Sequence, residues 1–517
     1  MKNSGCIVGV DAGTSVVKAV GFTLSGGEVG GHEIPLDLVS QHPTWVEQDM
    51  NQMWEGVRTC LAQVIRNLRA EGRDILGIGI TSSGDGTWMI DADGNPVRNG
   101  MFWCDGRAGD IVARWYEHEV AAAAFDICGT AVHPGSQASQ LAWLQEHEAE
   151  SLQRAAHILH PKDWLFYKLT GLITSDDTDE SLTMLRMSTR AYDLELFRIF
   201  GIEDLFPKFP PVKATLDNTG AMLPEVAEFL GVPPGLPVGS GPMDVAACAL
   251  GSGAIEHGEA STVLGTAGIH QVVMDQPILE PRMVGMTLCH GVPGRWLRML
   301  AAMTATPNLE WFLEQFGPAL GVGADKGEEA AYARVERLAA QVPPGSDGVI
   351  YHPYLFPGGE RAPFVKPSAR ASFTGLNLTH TINHMLRAVY EGVAFATLDC
   401  YRHMPIEIKS VSLSGGGAKS DLWCQLISDC VGKPVQVPEG SQFGSKGAAL
   451  NLGIALGVYR DAQEAVKKSV RMARFFRPDA GRQKLYQELY EVYRATAEGQ
   501  MEGWDRRARI LKANATP

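Results

Sequence analysis

The sequence of 517 residues lacks any apolar run as long as a membrane-spanning helix needs, which is about 18 residues or more. The apolar run Ile7–Val10 is interrupted by Asp11, far short of the apolar core of a secretory signal peptide. Neither a membrane partner nor export is therefore predicted, and we expect a cytoplasmic protein.

Cysteine is scarce and follows no metal-binding pattern. The nine cysteines are dispersed, odd in number and contain no C-x-x-C pair. This argues against a zinc site and against a disulfide framework. We expect reduced, buried thiols.

Positive charge is also in deficit, because 45 Lys and Arg residues stand against 59 Asp and Glu residues, for a net charge of −14. An acidic protein repels phosphate backbones, so nucleic acid is not an expected partner. An anionic nucleotide would have to be held locally, by backbone N–H groups, a few cationic side chains and a metal ion.

Two distant segments share one pattern of apolar strand, Gly-Thr turn and second apolar strand. The first is CIVGVDAGTSVVKAVGF near the start, and the second is ASTVLGTAGIHQVVM at Ala260–Met274. Their β-branched residues favour strands and their glycines favour turns. Because the chain is too long for one ordinary core, the echo predicts two related halves. We place the boundary near residue 247, giving domains 1–247 and 248–517.

The first turn, DAGTS, has the composition of a phosphate-binding turn. Small residues leave backbone N–H groups free to face phosphate oxygens, and Thr14 and Ser15 can donate their hydroxyl protons. Asp11 ends a strand that should be buried, where a magnesium ion is the economical partner when phosphates are near. Lys18 lies four residues beyond Thr14 and can point at the same site. The alternative is a simple hairpin that Asp11 caps.

Asp244 follows the Gly/Pro turn GSGPM and opens a predicted helix. A carboxylate held there can accept the proton of an alcohol that attacks a phosphoryl group. The alternative is a helix N-cap, which is a common role of Asp. The two interpretations are compatible, because a capping carboxylate has a fixed direction.

Two further glycine-containing turns are candidates for nucleotide contacts. Gly265 and Thr266 repeat the first Gly-Thr turn, with a simple hairpin as the alternative. The segment SGGGAKSDLW places three glycines between a strand and a helix, where the backbone can approach a flat ring or a phosphate. A tight turn is the alternative there. The segment Gly440–Gly447, GSQFGSKG, has the wrong spacing for a P-loop and is assigned to no site.

Polar and aromatic residues occur together in Gly84–Trp88 (GDGTW) and Phe102–Arg107 (FWCDGR). A polyhydroxylated ligand needs this combination, because its hydroxyls pair with Asp and Arg and its C–H faces pack on Trp. The alternative is Asp-Gly turn chemistry beside a core Trp.

Taken in order, these motifs resemble the FGGY family of carbohydrate kinases, which includes glycerol kinase, xylulokinase and ribulokinase. The resemblance covers nearly the whole chain and extends to WVEQDMNQMW, PKDWLFYKLTG and FTGLNLTH. It implies an α/β, actin-like (ribonuclease-H-like) fold of two domains with a central nucleotide cleft. Domain 1–247 would carry the substrate and phosphate side, and domain 248–517 the adenosine side. The implied reaction is ATP-dependent phosphorylation of a hydroxyl on a small sugar or polyol, with ATP and Mg²⁺ as cofactors.

The resemblance also implies a role for each candidate residue. Asp244 would be the catalytic base and contact the substrate, and Asp11 would lie beside the magnesium ion. Substrate hydroxyls would meet Gly84, Asp85 and Trp103. The ATP-binding residues would be Thr14, Ser15, Lys18, Gly265, Thr266, Gly416, Gly417, Ala418 and Ser420.

Departures from the family pattern bear on the substrate. Xylulokinases usually carry Q-M-H where this chain has Ser83, Gly84 and Asp85, and glycerol kinases carry an Arg-Glu pair where it has Gly84 and Asp85. Val245 stands where ketopentose and glycerol kinases carry an amide residue. The GDGTW turn resembles erythritol kinases most, so we expect a tetritol such as erythritol.

Other interpretations stay open. A ketopentose, xylulose or ribulose, is the alternative substrate. From another class, an actin-like ATP-binding protein without sugar kinase activity is the alternative function. Homodimers are common among families of this kind, so a homodimer is an open alternative to a monomer.

Overall fold

The computed structural model describes residues 5–322 and 329–514. The chain divides into two units. The first contains the residues up to His257, together with Val273–Arg298 and Glu439–Arg471, and the second contains Gly258–Val272, Met299–Pro438 and the residues from Met472 onward. The predicted boundary near residue 247 stays a prediction.

The described strands are, in chain order, β1 (Gly5–Ala12), β2 (Val16–Thr23), β3 (Glu28–Pro35), β4 (Leu38–Val39), β5 (Glu47–Gln48), β6 (Asp74–Ser82), β7 (Trp88–Ile90), β8 (Gly100–Met101), β9 (His157–Leu159), β10 (Ser175–Asp176), β11 (Leu185–Arg186), β12 (Ala191–Tyr192), β13 (Val212–Lys213), β14 (Thr219–Ala221), β15 (Pro237–Ser240), β16 (Glu259–Leu264), β17 (Gly268–Met274), β18 (Met286–Cys289), β19 (Trp296–Ala302), β20 (Ile350–His352), β21 (Ser372–Thr374), β22 (Ser410–Ser414), β23 (Val435–Pro438) and β24 (Met472–Phe476).

The described α-helices are α1 (Met50–Ala70), α2 (Gly109–Glu117), α3 (Val120–Cys128), α4 (Gln137–His147), α5 (Ala149–Arg154), α6 (Pro161–Thr170), α7 (Asp177–Glu180), α8 (Leu194–Phe200), α9 (Pro224–Leu230), α10 (Asp244–Gly251), α11 (Pro307–Phe316), α12 (Glu329–Ala340), α13 (Ile382–Arg402), α14 (Asp421–Val431), α15 (Phe443–Ala455), α16 (Ala462–Ser469) and α17 (Ala480–Ala513).

The central sheet of the first unit has the strand order β14-β15-β6-β1-β2-β3. Strand β1 pairs antiparallel with β2 and parallel with β6, β15 runs parallel to β6, and β14 closes the edge antiparallel to β15. Because side chains alternate across a strand, β1 contributes side chains to both faces of the sheet. Val8 and Val10 belong to the core that includes Val57 of α1, whereas Ile7 clusters with Leu452 of α15.

The second unit repeats this topology. Strand β16 pairs antiparallel with β17 and parallel with β22, β22 runs parallel to β23, and β24 closes the edge antiparallel to β23. The Gly-Thr turns therefore occupy equivalent places, one between β1 and β2 and the other between β16 and β17. The predicted echo between the two halves is confirmed.

Helix α15 packs unusually close to the first unit's sheet and to α10. A Cβ added at Gly9 of β1 would lie 1.9 Å from the carbonyl oxygen of Ser445. One added at Gly447 of α15 would lie 1.9 Å from the carbonyl oxygen of Ala247 in α10. Only glycine permits backbone contacts of this kind. Helix α15 begins at Phe443, within the segment Gly440–Gly447 that was assigned to no site.

The nine cysteines are free thiols, of which seven are buried, as predicted, and Cys248 is half-buried, whereas Cys104 is exposed. Within the part of the chain that the structure describes, no helix combines the length and the apolar character that crossing a membrane requires.

Candidate active site

Asp11 is the penultimate residue of β1 and projects toward the face of the first unit's sheet that α15 covers. A Cβ added at Gly444, the second residue of α15, would lie 2.4 Å from Asp11 Oδ2. Burial raises the pKa of Asp11 to about 6, while the positive charge of Lys18 lowers it. Lys18 is the cross-strand partner of Asp11 in the β1–β2 hairpin, so both side chains lie on one face.

Asp244 is the first residue of α10, and Met243 occupies the N-cap position. Its carboxylate is therefore not an N-cap group; Asp244 Oδ1 accepts a hydrogen bond of 2.7 Å from the N–H of Val245, and the N–H of Gly84 also hydrogen-bonds the carboxylate. Burial and the negative charge of Asp11 raise the pKa of Asp244 to about 7, while these two N–H groups lower it.

The two carboxylates are close enough for the charge of Asp11 to raise the pKa of Asp244. Cys248, one turn beyond Asp244 in α10, lies near Asp11, because a Cβ added at Gly444 would lie 2.4 Å from Asp11 Oδ2 and 3.7 Å from Cys248 Sγ. Burial and the charges of Asp11 and Asp244 all raise the pKa of the Cys248 thiol. Two like charges in a largely buried place favour a bound cation. A magnesium ion fits this donor set, because it prefers carboxylate oxygens and retains several water ligands.

Asp85 follows β6 and has a backbone φ of 65°, which is uncommon for a residue with a side chain. Its Oδ1 accepts a hydrogen bond of 2.8 Å from the N–H of Gln137, at the start of α4. Its Oδ2 lies 3.3 Å from Nε2 of His133. This buried oxygen has no hydrogen-bond partner among the described residues, so a ligand hydroxyl could supply the donor that it lacks.

Trp103 is 42% exposed and lies beside the first Gly-Thr turn. Its indole Nε1 donates a hydrogen bond of 3.0 Å to Oγ1 of Thr14. The sequence-predicted phosphate turn and the predicted sugar-binding Trp are therefore in direct contact. Ser15 is exposed at the same turn, and its carbonyl oxygen accepts from the N–H of Leu36.

In the second unit, Gly265 and Thr266 form the turn after β16. The carbonyl oxygen of Gly265 accepts hydrogen bonds from both the N–H and the Oγ1 of Thr306, each of 3.0 Å. The carbonyl oxygen of Thr266 accepts from the N–H of Ala305. Residues just before α11 thus hold the turn, and the Thr266 side chain is exposed.

The glycine-rich segment lies against the end of the same strand. A Cβ added at Gly417 would lie 2.4 Å from Cδ2 of Leu264, the last residue of β16. Gly416 is exposed, whereas Ala418 is buried. Ser420 is the N-cap of α14, and its Oγ accepts a hydrogen bond of 3.1 Å from the N–H of Trp423. The structure therefore brings the predicted second-unit residues together at one edge of that unit's sheet.

Three residues near the predicted site were missed by the sequence analysis. His133 and Gln137 contact Asp85, and Gly444 approaches Asp11. The small residues of GSKGAA are the local signal that α15 packs closely. No local signal could have paired His133 with Asp85.

Comparisons with known proteins place the whole chain in context. The model described as "FGGY family of carbohydrate kinases, N-terminal domain" matches residues 6–251. The model of the C-terminal domain of the same family matches residues 260–456.

Curated relatives and a solved structure are similar to this chain over nearly its full length. An erythritol kinase of Brucella abortus is 30% identical over 515 residues, covering 97% of this chain and 98% of the relative. A xylulose kinase of Escherichia coli is 30% identical over 505 residues, covering 94% and 97%. The crystal structure of xylulose kinase from Rhodospirillum rubrum matches with a TM-score of 0.86 at 28% identity, covering 97% of this chain and 100% of that one.

Proposed function

The chain belongs to the FGGY family of carbohydrate kinases, and we propose that its acceptor substrate is a tetritol such as erythritol. It has the family's actin-like, ribonuclease-H-like fold and is a phosphotransferase. This membership sets aside an ATP-binding protein without kinase activity. The substrate, the cofactors and the site residues remain proposals.

The observation that carries the catalytic proposal is the convergence of Asp11 and Asp244. In the proposed reaction, a hydroxyl oxygen of the substrate attacks the γ-phosphorus of ATP. The bond from that phosphorus to the bridging oxygen breaks, and ADP leaves. Asp244 accepts the hydroxyl proton, a role that suits a base whose pKa lies near neutrality.

Mg²⁺, held beside Asp11 through water, would neutralise charge on the phosphates. Thr14, Ser15 and Lys18 would contact the phosphates from the first unit. The second unit would contribute the remaining ATP contacts through Gly265, Thr266, Gly416, Gly417, Ala418 and Ser420.

The substrate proposal depends on Gly84, Asp85 and Trp103. Oδ2 of Asp85, which lies beside His133 but accepts no hydrogen bond from the described residues, would accept one from a polyol hydroxyl. The exposed Trp103 ring would pack on C–H groups. Gly84 lies beside the base, because its N–H bonds Asp244. The similarity to an erythritol kinase over nearly the whole chain supports the same choice.

A ketopentose is the alternative substrate, and the equally extensive similarity to a xylulose kinase favours it. The two can be separated by the order of kcat/KM in a coupled ADP-release assay. Erythritol, threitol, glycerol, xylulose and ribulose would be compared at saturating Mg-ATP. We expect erythritol to lead, and a higher kcat/KM for a ketopentose would replace the tetritol proposal.

The catalytic assignment is tested with the best substrate of that assay. The Asp244→Asn variant should lose turnover by about 10²- to 10⁴-fold, because the amide cannot take the proton. Nucleotide binding, measured by calorimetry, should persist. The matched control is Asp93→Asn, which alters an exposed turn. Turnover of Asp244→Asn near the control's value would refute Asp244 as the base.

The role of Asp85 is tested by Asp85→Asn, which keeps an acceptor for the Gln137 N–H. Hydrogen bonds to charged groups contribute about 1.5–3 kcal/mol, so kcat/KM for the polyol should fall by roughly 10- to 100-fold. The KM for ATP should stay within about twofold, since the loss is confined to the sugar side. Unchanged polyol kinetics would remove Asp85 from the substrate site.

A further inference from the structure

A buried ion network lies beneath the turn that carries Asp244. Lys162 of α6 is fully buried, as are the three carboxylates around it. Its Nζ donates to Oδ2 of Asp176 and lies 2.9 Å from Asp179 and 3.9 Å from Asp163. These carboxylates come within 4.8 Å of one another, which would suit a metal ion, but the Lys162 ammonium already supplies the positive charge. Burial lowers the pKa of Lys162, but the surrounding carboxylates raise it by more, so the side chain stays charged.

One residue joins this network to the Asp244 turn. Oδ1 of Asp176 accepts hydrogen bonds from the N–H of Thr178, at 2.9 Å, and from its Oγ1, at 2.5 Å. The same Oγ1 accepts a hydrogen bond of 2.9 Å from the N–H of Met243. A hydroxyl has one proton and two lone pairs. The proton is committed to Asp176, and the oxygen is therefore oriented to receive the Met243 N–H.

Met243 is the N-cap residue of α10, and its side chain cannot cap the helix. Its N–H is held by Thr178 from outside the helix. Two other contacts fix the same turn: Oγ1 of Thr81 donates to the carbonyl oxygen of Pro242 at 2.6 Å, and Lys162 Nζ donates to Oγ of Ser240 at 3.0 Å. The backbone from Ser240 to Met243 is thus anchored just before Asp244.

We propose that Thr178 is a positioning residue, which fixes the start of α10 and so aims the Asp244 carboxylate at the acceptor hydroxyl. The Lys162–Asp176 pair orients the Thr178 hydroxyl. This inference rests on the proposed role of Asp244 as the base. Thr178 itself does not touch the reacting atoms.

The test compares Thr178→Val, which removes the hydroxyl at nearly constant shape, with Thr178→Ser, which keeps it. Turnover rates are divided by the measured concentration of nucleotide-binding sites, so that a smaller folded fraction of a variant does not lower its kcat. Because small misplacements of a catalytic group lower rates strongly, Thr178→Val should reduce kcat by about 10- to 100-fold. The KM values for substrate and Mg-ATP should change by less than about twofold. Thr178→Ser should recover kcat to within about threefold of the wild type.

A normal kcat for Thr178→Val, or an equally impaired Thr178→Ser, would overturn the proposal. A rise in KM with unchanged kcat would also overturn it. If Thr178→Val does not fold, Thr178→Ala against Thr178→Ser gives the same comparison of hydroxyl absent and present.

The double variant Thr178→Val with Asp244→Asn separates the two proposals. If Thr178 acts through the base, the double variant should be no slower than Asp244→Asn alone. A further loss on top of Asp244→Asn would show that Thr178 acts elsewhere. If Asp244→Asn is itself active, the proposed function fails on its own, whatever Thr178→Val does.

Discussion

At the scale of single residues, burial sets the protonation of the two carboxyl groups of the site, and the charge of Asp11 adds to it for Asp244. Asp11 and Asp244 both have pKa values above the ordinary range, mainly because of burial. A carboxyl group of raised pKa binds its proton more tightly in the folded chain than in the unfolded one. Its contribution to stability is therefore present at low pH and is lost as pH rises toward the folded pKa.

Asp244→Asn should consequently stabilise the chain in the absence of nucleotide and metal, although it removes turnover. The gain should be small near pH 4.5 and should grow through pH 7, the pKa of Asp244 in the folded chain. Above that pH the gain in the free energy of unfolding should level off at about 1–3 kcal/mol. Partial solvent access of the carboxylate keeps this value below the one that the full pKa shift would give. Thermal unfolding of both proteins between pH 4.5 and 8.5 measures the effect.

Asp93→Asn is the control, because its side chain is exposed in a turn. Its melting temperature should follow the wild type across the pH range. A constant difference between Asp244→Asn and wild type at every pH would mean that titration of this carboxyl does not destabilise the fold.

At the scale of secondary-structure elements, α15 ties the site to the first unit's sheet. Its Gly447 meets the backbone of Ala247 in α10, three residues beyond Asp244. Its Gly444 meets the Asp11 carboxylate. One helix therefore supports the elements that carry both carboxylates, and its glycines set how closely those elements approach.

Gly447→Ala should be destabilising by about 2 kcal/mol or more, since backbone atoms in a packed interior yield little. Gly499→Ala in α17 is the matched change, because no described atom lies within 4 Å of the added Cβ. It should be neutral or stabilising by about 0.5–1 kcal/mol, owing to helix propensity. Urea unfolding of both variants gives the comparison. Similar midpoints for the two would refute the close-packing account.

Much of the element order could be predicted from the sequence, but its tertiary partners could not. The β1–β2 hairpin and Asp244 at the start of a helix follow from local strand, turn and helix signals. The contact of Thr178 with Met243 spans 65 residues, and no periodicity encodes it. Similarly, the spacing of GSQFGSKG did not match a P-loop, and only the fold shows that its glycines let α15 pack closely against β1. The orientation of the Asp85 carboxylate also depends on α4, because the N–H of Gln137, 52 residues away in sequence, donates to its Oδ1.

At the scale of the whole molecule, the repeated topology explains why motifs recur in the two halves. Each unit has an antiparallel hairpin whose first strand runs parallel to the next two strands of its sheet. A Gly-Thr turn therefore appears at the same place in both. The family assignment rests on family models that match residues 6–251 and 260–456, whereas the substrate proposal depends on a few side chains near Asp85.

The whole-molecule charge of −14 also bears on how an anionic nucleotide is held. Free ADP is repelled by an acidic protein, so Mg²⁺ should contribute much of the attraction. With ADP at about 100 times Kd, binding to the folded state alone adds about 2.7 kcal/mol to the free energy of unfolding. We expect this gain, measured as a rise in melting temperature, with Mg²⁺ present and a much smaller rise at the same ADP concentration with EDTA. Asp11→Asn should abolish the difference between Mg²⁺ and EDTA, whereas Asp93→Asn should retain it. A full Mg²⁺ effect in Asp11→Asn would remove Asp11 from the metal site, because the attraction would then arise from residues elsewhere.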